Sequence, residues 1–106
     1  MIWKPLLIAI DYDETFTADP RAWRETMEVL RRCGHDFICV TRRSTPPADD
    51  EPLIPCPIVC AGDQWKKHAA ERAGYKVDIW IDDLPQLIGP PLKPLDDWES
   101  GEGYVR

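Results

Sequence analysis

Acidic residues close two short apolar runs in this chain: Asp11 and Asp13 follow Leu6-Leu7-Ile8-Ala9-Ile10, and Asp82 and Asp83 follow Val77 to Ile81. Thr41 closes a third run, Phe37-Ile38-Cys39-Val40. Continuous apolar runs of this length suit strands buried on both faces, as in a parallel sheet. Open parallel sheets bind ligands beyond the carboxyl ends of their strands. Four carboxylates gathered on one such edge would repel each other, and a cation relieves that repulsion. An all-oxygen set of this kind suits magnesium, Mg2+. Asp also favours turns, which accounts for one acidic pair at a strand end, but not for two pairs and a threonine on the same edge.

The elements that must carry these residues follow from pattern. Asp19-Pro20 gives a helix start, with Asp at the N-cap and Pro at the first helical position. Trp23, Met27 and Leu30 recur at i, i+4 and i+7, and Gly34 stands where a C-terminal cap belongs, so the first helix spans about 20–33. The second strand covers Phe37 to Val40 and ends at Thr41. The stretch from Ser44 to Pro57 holds five prolines and Asp49-Asp50-Glu51 with no helical stripe, and reads as an irregular crossover. Ile58 to Ala61 is a third strand. Asp63 is placed to cap a helix over 64–73 that Gly74 closes. Val77 to Ile81 is the fourth strand, and 89–106 form a proline-rich tail expected to pack through Leu92, Leu95 and Trp98. Strands alternating with helices imply an α/β fold, a parallel sheet with right-handed crossovers.

Composition bounds the function. The 106 residues allow one domain, 1–106, and 43% hydrophobic with 30% charged residues reads as globular. A net charge of −6 argues against a generic nucleic-acid binder, which would carry a basic surplus. No apolar run reaches the length of a bilayer span, and the first residues lack a secretory signal, so no membrane role and a cytoplasmic location are expected. Cys33, Cys39, Cys56 and Cys60 lack paired C-x2-C spacing, so neither a structural zinc nor, in a reducing compartment, disulfides are expected. His35 in a turn and His68 in mid-helix have no ligand-spaced partners and read as structural or surface residues.

The pattern resembles the haloacid dehalogenase-like phosphohydrolase superfamily. Leu7-Ile8-Ala9-Ile10-Asp11-Tyr12-Asp13-Glu14-Thr15 is similar to its first motif, an apolar strand followed by D-x-D-x-T. Val40-Thr41 is similar to the second, a lysine opening a later helix to the third, and Ile79-Trp80-Ile81-Asp82-Asp83 to the fourth. The resemblance covers about 6–88 in the expected order. Glu14 departs from it, since the family usually has Gly there, and so costs backbone freedom after the second aspartate.

The resemblance implies a three-layer Rossmann-like core and a magnesium-dependent phosphatase. Asp11 would be the nucleophile that forms an aspartyl-phosphate. Asp13, taken to share its strand face, would protonate the leaving oxygen and later activate water. The magnesium would screen Asp11 from the anionic phosphoryl group. Its ligands would be the Asp11 carboxylate, the Asp13 backbone carbonyl and Asp83, with Asp82 supporting them. Thr41 would donate its hydroxyl to a phosphoryl oxygen. The lysine is Lys66 or Lys67. Ala69, Ala70 and Ala73 mark the buried helix face, and the helical period puts Lys66 in line with them and Lys67 about a quarter turn away, which favours Lys66.

Only six residues separate Asp13 from Pro20, and the span from Thr41 to Lys66 is filled by the crossover and third strand. The resemblance is thus to a capless core with an open pocket, suited to a macromolecular or bulky phosphorylated substrate. Arg42 and Arg43, beside Thr41, are placed to meet a second phosphate or a substrate acid, or to stand solvated. Two other classes compete with an enzyme. One is a catalytically inactive phosphate- or metal-binding module that kept the pocket. The other is a response-regulator receiver, but that has adjacent acids after strand one and its phosphoacceptor after strand three, where this chain has Ala61-Gly62.

Overall fold

The computed structural model describes residues 3–90; Leu92, Leu95 and Trp98, expected to pack the tail, lie outside them. Four strands and two helices follow in the order β1 (Leu7–Ile10), α1 (Pro20–Arg32), β2 (Asp36–Thr41), β3 (Ile58–Cys60), α2 (Lys66–Arg72) and β4 (Ile79–Ile81). Short 3-10 turns follow β1 at Phe16–Ala18 and β4 at Pro85–Leu87. The strands form one all-parallel sheet in the order β3-β2-β1-β4, an α/β arrangement compatible with a Rossmann-like fold. Among the described residues no helix is long and apolar enough to cross a membrane.

β1 is flanked on both sides, by β2 and β4, so Ile8, Ala9 and Ile10 are buried whichever face they point to. This explains why its sequence is a continuous apolar run and does not alternate. One face carries Ile8, Ile10, Phe37 and Cys39 and packs against Met27, with Trp23 and Leu30 of α1 beside it. Ala9, Ile38 and Val40 occupy the other face against Ala70 of α2, flanked by Tyr75 and Trp80.

Local chemistry sets the helix ends. The Asp19 carboxylate accepts from Ala22 N–H at 3.1 Å, and Pro20 occupies the first helical position, as the sequence predicts. Both helices end in the same reciprocal pair of backbone bonds. Gly34 N–H donates to Arg31 O and His35 N–H to Leu30 O, while Gly74 N–H donates to Glu71 O and Tyr75 N–H to Ala70 O. Gly34 (φ +97°) and Gly74 (φ +94°) supply the left-handed residue that this closure needs. His35 is structural, its Nδ1 accepting from Leu6 N–H at 3.0 Å.

Two boundaries differ from the sequence reading. β4 begins at Ile79, because the Asp78 carboxylate accepts from Leu7 N–H at 2.9 Å and takes the place of a backbone partner. α2 begins at Lys66 and not at 64, and Asp63 does not cap it. A turn closed by Gln64 N–H to Ala61 O, with Gly62 at φ +57°, delays the helix. The carbonyl of Ile88 then accepts from Lys67 N–H at 2.8 Å, serving one of the donors that an N-cap would.

The crossover from β2 to β3 contains no helix. It is an extended strap anchored by buried Ile54 and by side chains that donate to its carbonyls: the Tyr12 hydroxyl to Pro52 O at 2.6 Å, Arg24 Nε to Leu53 O at 2.9 Å, and Arg31 to Pro55 O. Met27 is the one fully buried residue of α1, whereas Val29 is about half exposed. Met27→Ala should cost about 2–5 kcal/mol of unfolding free energy in denaturant titration. Val29→Ala should stay within about 0.5 kcal/mol. Equal losses would show that α1 does not seat on the sheet through Met27.

Candidate functional site

The chain runs β1-β2-β3 to one side of the sheet and then crosses through α2 to place β4 on the other side of β1. Between β1 and β4 the order of strands reverses, and a crevice opens beyond their carboxyl ends. Asp11 leaves β1 there, its N–H donating to Ile81 O at 2.9 Å, and Asp82 and Asp83 leave β4 beside it. One carboxylate oxygen from each of Asp11, Asp82 and Asp83 lies within 4.8 Å of the others.

Lys66 enters this acidic group from the first turn of α2. Its side chain is 2% exposed, and its Nζ donates to Asp11 Oδ1 at 2.8 Å and to Asp82 Oδ2 at 2.5 Å. Lys67, one residue on, is exposed. Asp82 is further fixed through Oδ1, which accepts from Leu84 N–H at 2.9 Å, whereas Asp83 is exposed at the mouth. Burial raises the Asp11 carboxyl from the ordinary 3.8 to about 6. The bond from Lys66 pulls the value down, and the neighbouring Asp83 and Asp82 carboxyls push it further up.

The loop after Asp11 is wide. Phe16 N–H donates to Asp11 O and Thr17 N–H to Tyr12 O, and the turn inside them carries Asp13 and Glu14. Glu14 sits at φ +67°, the left-handed region that a glycine would occupy without strain, and its N–H donates to Thr17 Oγ1 at 3.1 Å. Thr15 Oγ1 donates to Asp11 Oδ2 at 3.4 Å.

Two placements differ from what the sequence led us to expect. Asp13 is not on a strand face shared with Asp11, because β1 ends at Ile10 and the two-residue period stops with it. Arg43 is neither a solvated side chain nor a free anion site. Its guanidinium takes both oxygens of Asp13, at 3.0 and 2.8 Å, and both of Glu51, at 2.8 and 2.7 Å, and stacks 5.1 Å from the centre of the Tyr12 ring. The same fork, with Ala48 N–H, holds the Glu51 carboxyl down at about 2. Thr41 is buried at the end of β2, and its hydroxyl oxygen accepts from Arg43 N–H at 3.2 Å, which leaves its O–H free to donate. The crevice holds about 120 Å³, and its lining includes Asp11, Lys66, Asp83, Arg42, Leu84 and Leu87.

Sequence reasoning missed Glu51. It lies in a proline-rich stretch without periodicity and meets Asp13 only through Arg43, so no local signal marks it.

No protein-family model, curated protein or solved structure matches this chain. Three converging carboxylates offer hard oxygen donors, and this donor set fits a hard divalent cation.

Removing the Lys66 ammonium would leave Asp11 and Asp82 facing each other in a buried place. Lys66→Met should therefore cost about 3–5 kcal/mol in chelator, and Lys67→Ala less than about 0.5 kcal/mol. Similar losses for the two variants would contradict the central position of Lys66. A pH series tests Asp11. Its folded value lies above its unfolded one, so the folded chain keeps a proton that the unfolded chain has released. Its contribution is fully favourable below 3.8 and declines as pH rises through about 6. In chelator, the stability of the wild type relative to Asp11→Asn should fall across that window, and a flat difference would exclude the shift.

Proposed function

We propose that this chain is a magnesium-dependent phosphohydrolase that works through an aspartyl-phosphate on Asp11. The observation that carries the reading is Lys66: a buried lysine, bonded to Asp11 and Asp82 at the point where the strand order reverses. A lysine bonded to two buried acids is a costly arrangement, and it suits a place where a negatively charged group must approach a carboxylate. The same reading takes the sheet with α1 and α2 as a minimal three-layer core without a cap, in line with the resemblance to haloacid dehalogenase-like phosphohydrolases.

Asp11 Oδ2, met only by the weak bond from Thr15, is the oxygen we assign to attack phosphorus. The new bond forms there as the ester P–O bond breaks, and the leaving oxygen takes a proton from Asp13. Water then attacks the acyl phosphate with Asp13 as base, releasing inorganic phosphate and restoring the Asp11 carboxylate. Lys66 holds Asp11 in place and lowers the repulsion an incoming phosphoryl group would meet. Asp11, Asp83 and the Asp13 carbonyl would hold the magnesium, with Asp82 orienting Lys66. The metal would supply screening of charge on the transferring group.

A second reading has its own observation. Both oxygens of Asp13 are taken by Arg43, so the acid–base group must leave that fork to reach a substrate. If it never does, the chain is a phosphate- or metal-binding module without turnover.

Magnesium-dependent hydrolysis of an aryl phosphate separates the two. The wild type should turn over, and Asp11→Asn should lose at least about a thousandfold in kcat while keeping its circular dichroism spectrum. Magnesium should also raise Tm, less so in Asp83→Ala than in Asp82→Ala. Binding of metal and phosphate without turnover supports the module. Full activity in a folded Asp11→Asn protein excludes the covalent route.

A further inference from the structure

The basic side chains around the crevice are not equivalent. Lys66 is engaged by Asp11 and Asp82, and Arg43 by Asp13 and Glu51. Arg42 lines the crevice, is exposed, and among the described residues makes no ion pair or side-chain hydrogen bond. The turn after Thr41 separates the two arginines, sending Arg43 towards the strap and leaving Arg42 in the crevice wall.

The surrounding charge gives this position its meaning. Five acids line the crevice, Asp11, Asp13, Glu14, Asp82 and Asp83, against two cations, Lys66 and Arg42. A ligand carrying one phosphate can place it at the floor, by Lys66 and Asp11. Any second anionic group on that ligand meets repulsion along most of the wall, except at Arg42. An unpaired guanidinium presents a planar fork matched to a carboxylate or phosphate, and it has no internal partner to give up. Leu84 and Leu87 supply apolar wall in the same crevice, a surface for the part of the ligand between its two anionic ends.

We infer that Arg42 selects substrates that carry a second anionic group, so that the preferred substrate is a phosphate monoester whose alcohol portion bears a carboxylate or a further phosphate. The inference rests on the phosphohydrolase reading for the first phosphate and adds the class of alcohol. Arg42 acts here on the non-reacting end of the substrate, as a determinant of specificity.

The test uses phenyl phosphate and 4-carboxyphenyl phosphate, which share a leaving-group ring and differ in one carboxylate. At fixed magnesium, the wild type should favour the carboxylated probe at least about tenfold in kcat/KM, and the preference should shrink with added salt. Arg42→Gln should reduce kcat/KM for the carboxylated probe about ten times more than for phenyl phosphate. Arg42→Lys, which keeps charge without the fork, should restore part of the preference. Equal losses on both probes would assign Arg42 to the transferring phosphoryl group and overturn the inference, as would no preference in the wild type. If the wild type hydrolyses neither probe, the phosphohydrolase reading fails, and calorimetric Kd values for the same two compounds decide the claim about Arg42. A carboxylate advantage abolished in Arg42→Gln upholds it; equal Kd values, or no binding, overturn it.

Discussion

One interaction constrains the rest of this protein: a lysine almost wholly removed from water, bonded to carboxylates from two different strands. Neither acid could be buried beside the other without the ammonium, and the ammonium could not be buried without them. The bond is possible only because β1 and β4 are neighbours and the Lys66 side chain reaches the acids that follow both. That adjacency requires the chain to reverse its direction of travel across the sheet after β3. The parallel topology, the late start of α2 and the placement of Asp82 are therefore parts of one arrangement.

A second polar assembly organises the other side. Arg43 joins the loop after β1, through Asp13, to the strap, through Glu51, and lies over Tyr12, whose hydroxyl is itself tied to the strap. The strap thus does for β2 and β3 what a crossover helix does in a larger domain. It covers the sheet with Ile54 and has the carbonyls of Pro52, Leu53 and Pro55 met by tyrosine and arginine side chains. Its prolines suit this role, since they carry no N–H to satisfy and restrict the unfolded chain.

Much of this was legible in the sequence, and the successes share a cause. The apolar runs, the Asp19-Pro20 start and the glycine closures depend on neighbours within a few residues, and the structure has each of them. That acids end β1 and β4 on one edge was also legible, because strand ends in a parallel sheet fall together. The choice of Lys66 over Lys67 followed from helical phase with Ala69 and Ala70, although Ala73, expected on the same face, is exposed beyond the last helical residue and the helix starts two residues later than expected. What could not be read depends on distant contact. The cap of α2 comes from Ile88, so a nearby Asp63 was the only visible candidate. The place of Asp13 depends on where β1 stops, and the stop is set by a wide turn that puts Glu14 at positive φ. Glu51 and the partners of Arg43 belong to a strap without periodicity.

The amide of Lys67 bonded to the carbonyl of Ile88 has a kinetic side. That bond closes the segment that contains β4, and the bond from Lys66 to Asp11 joins residues 55 apart. Both carry a high loop-closure cost, which a folding nucleus built from nearby contacts avoids. The crevice is on this argument among the last parts of the molecule to assemble and the first to open. Changes there would act mainly on the unfolding limb of a chevron plot and leave the folding limb almost untouched. Any ligand held between β1, β4 and α2 would then prolong the lifetime of the folded chain without hastening its formation.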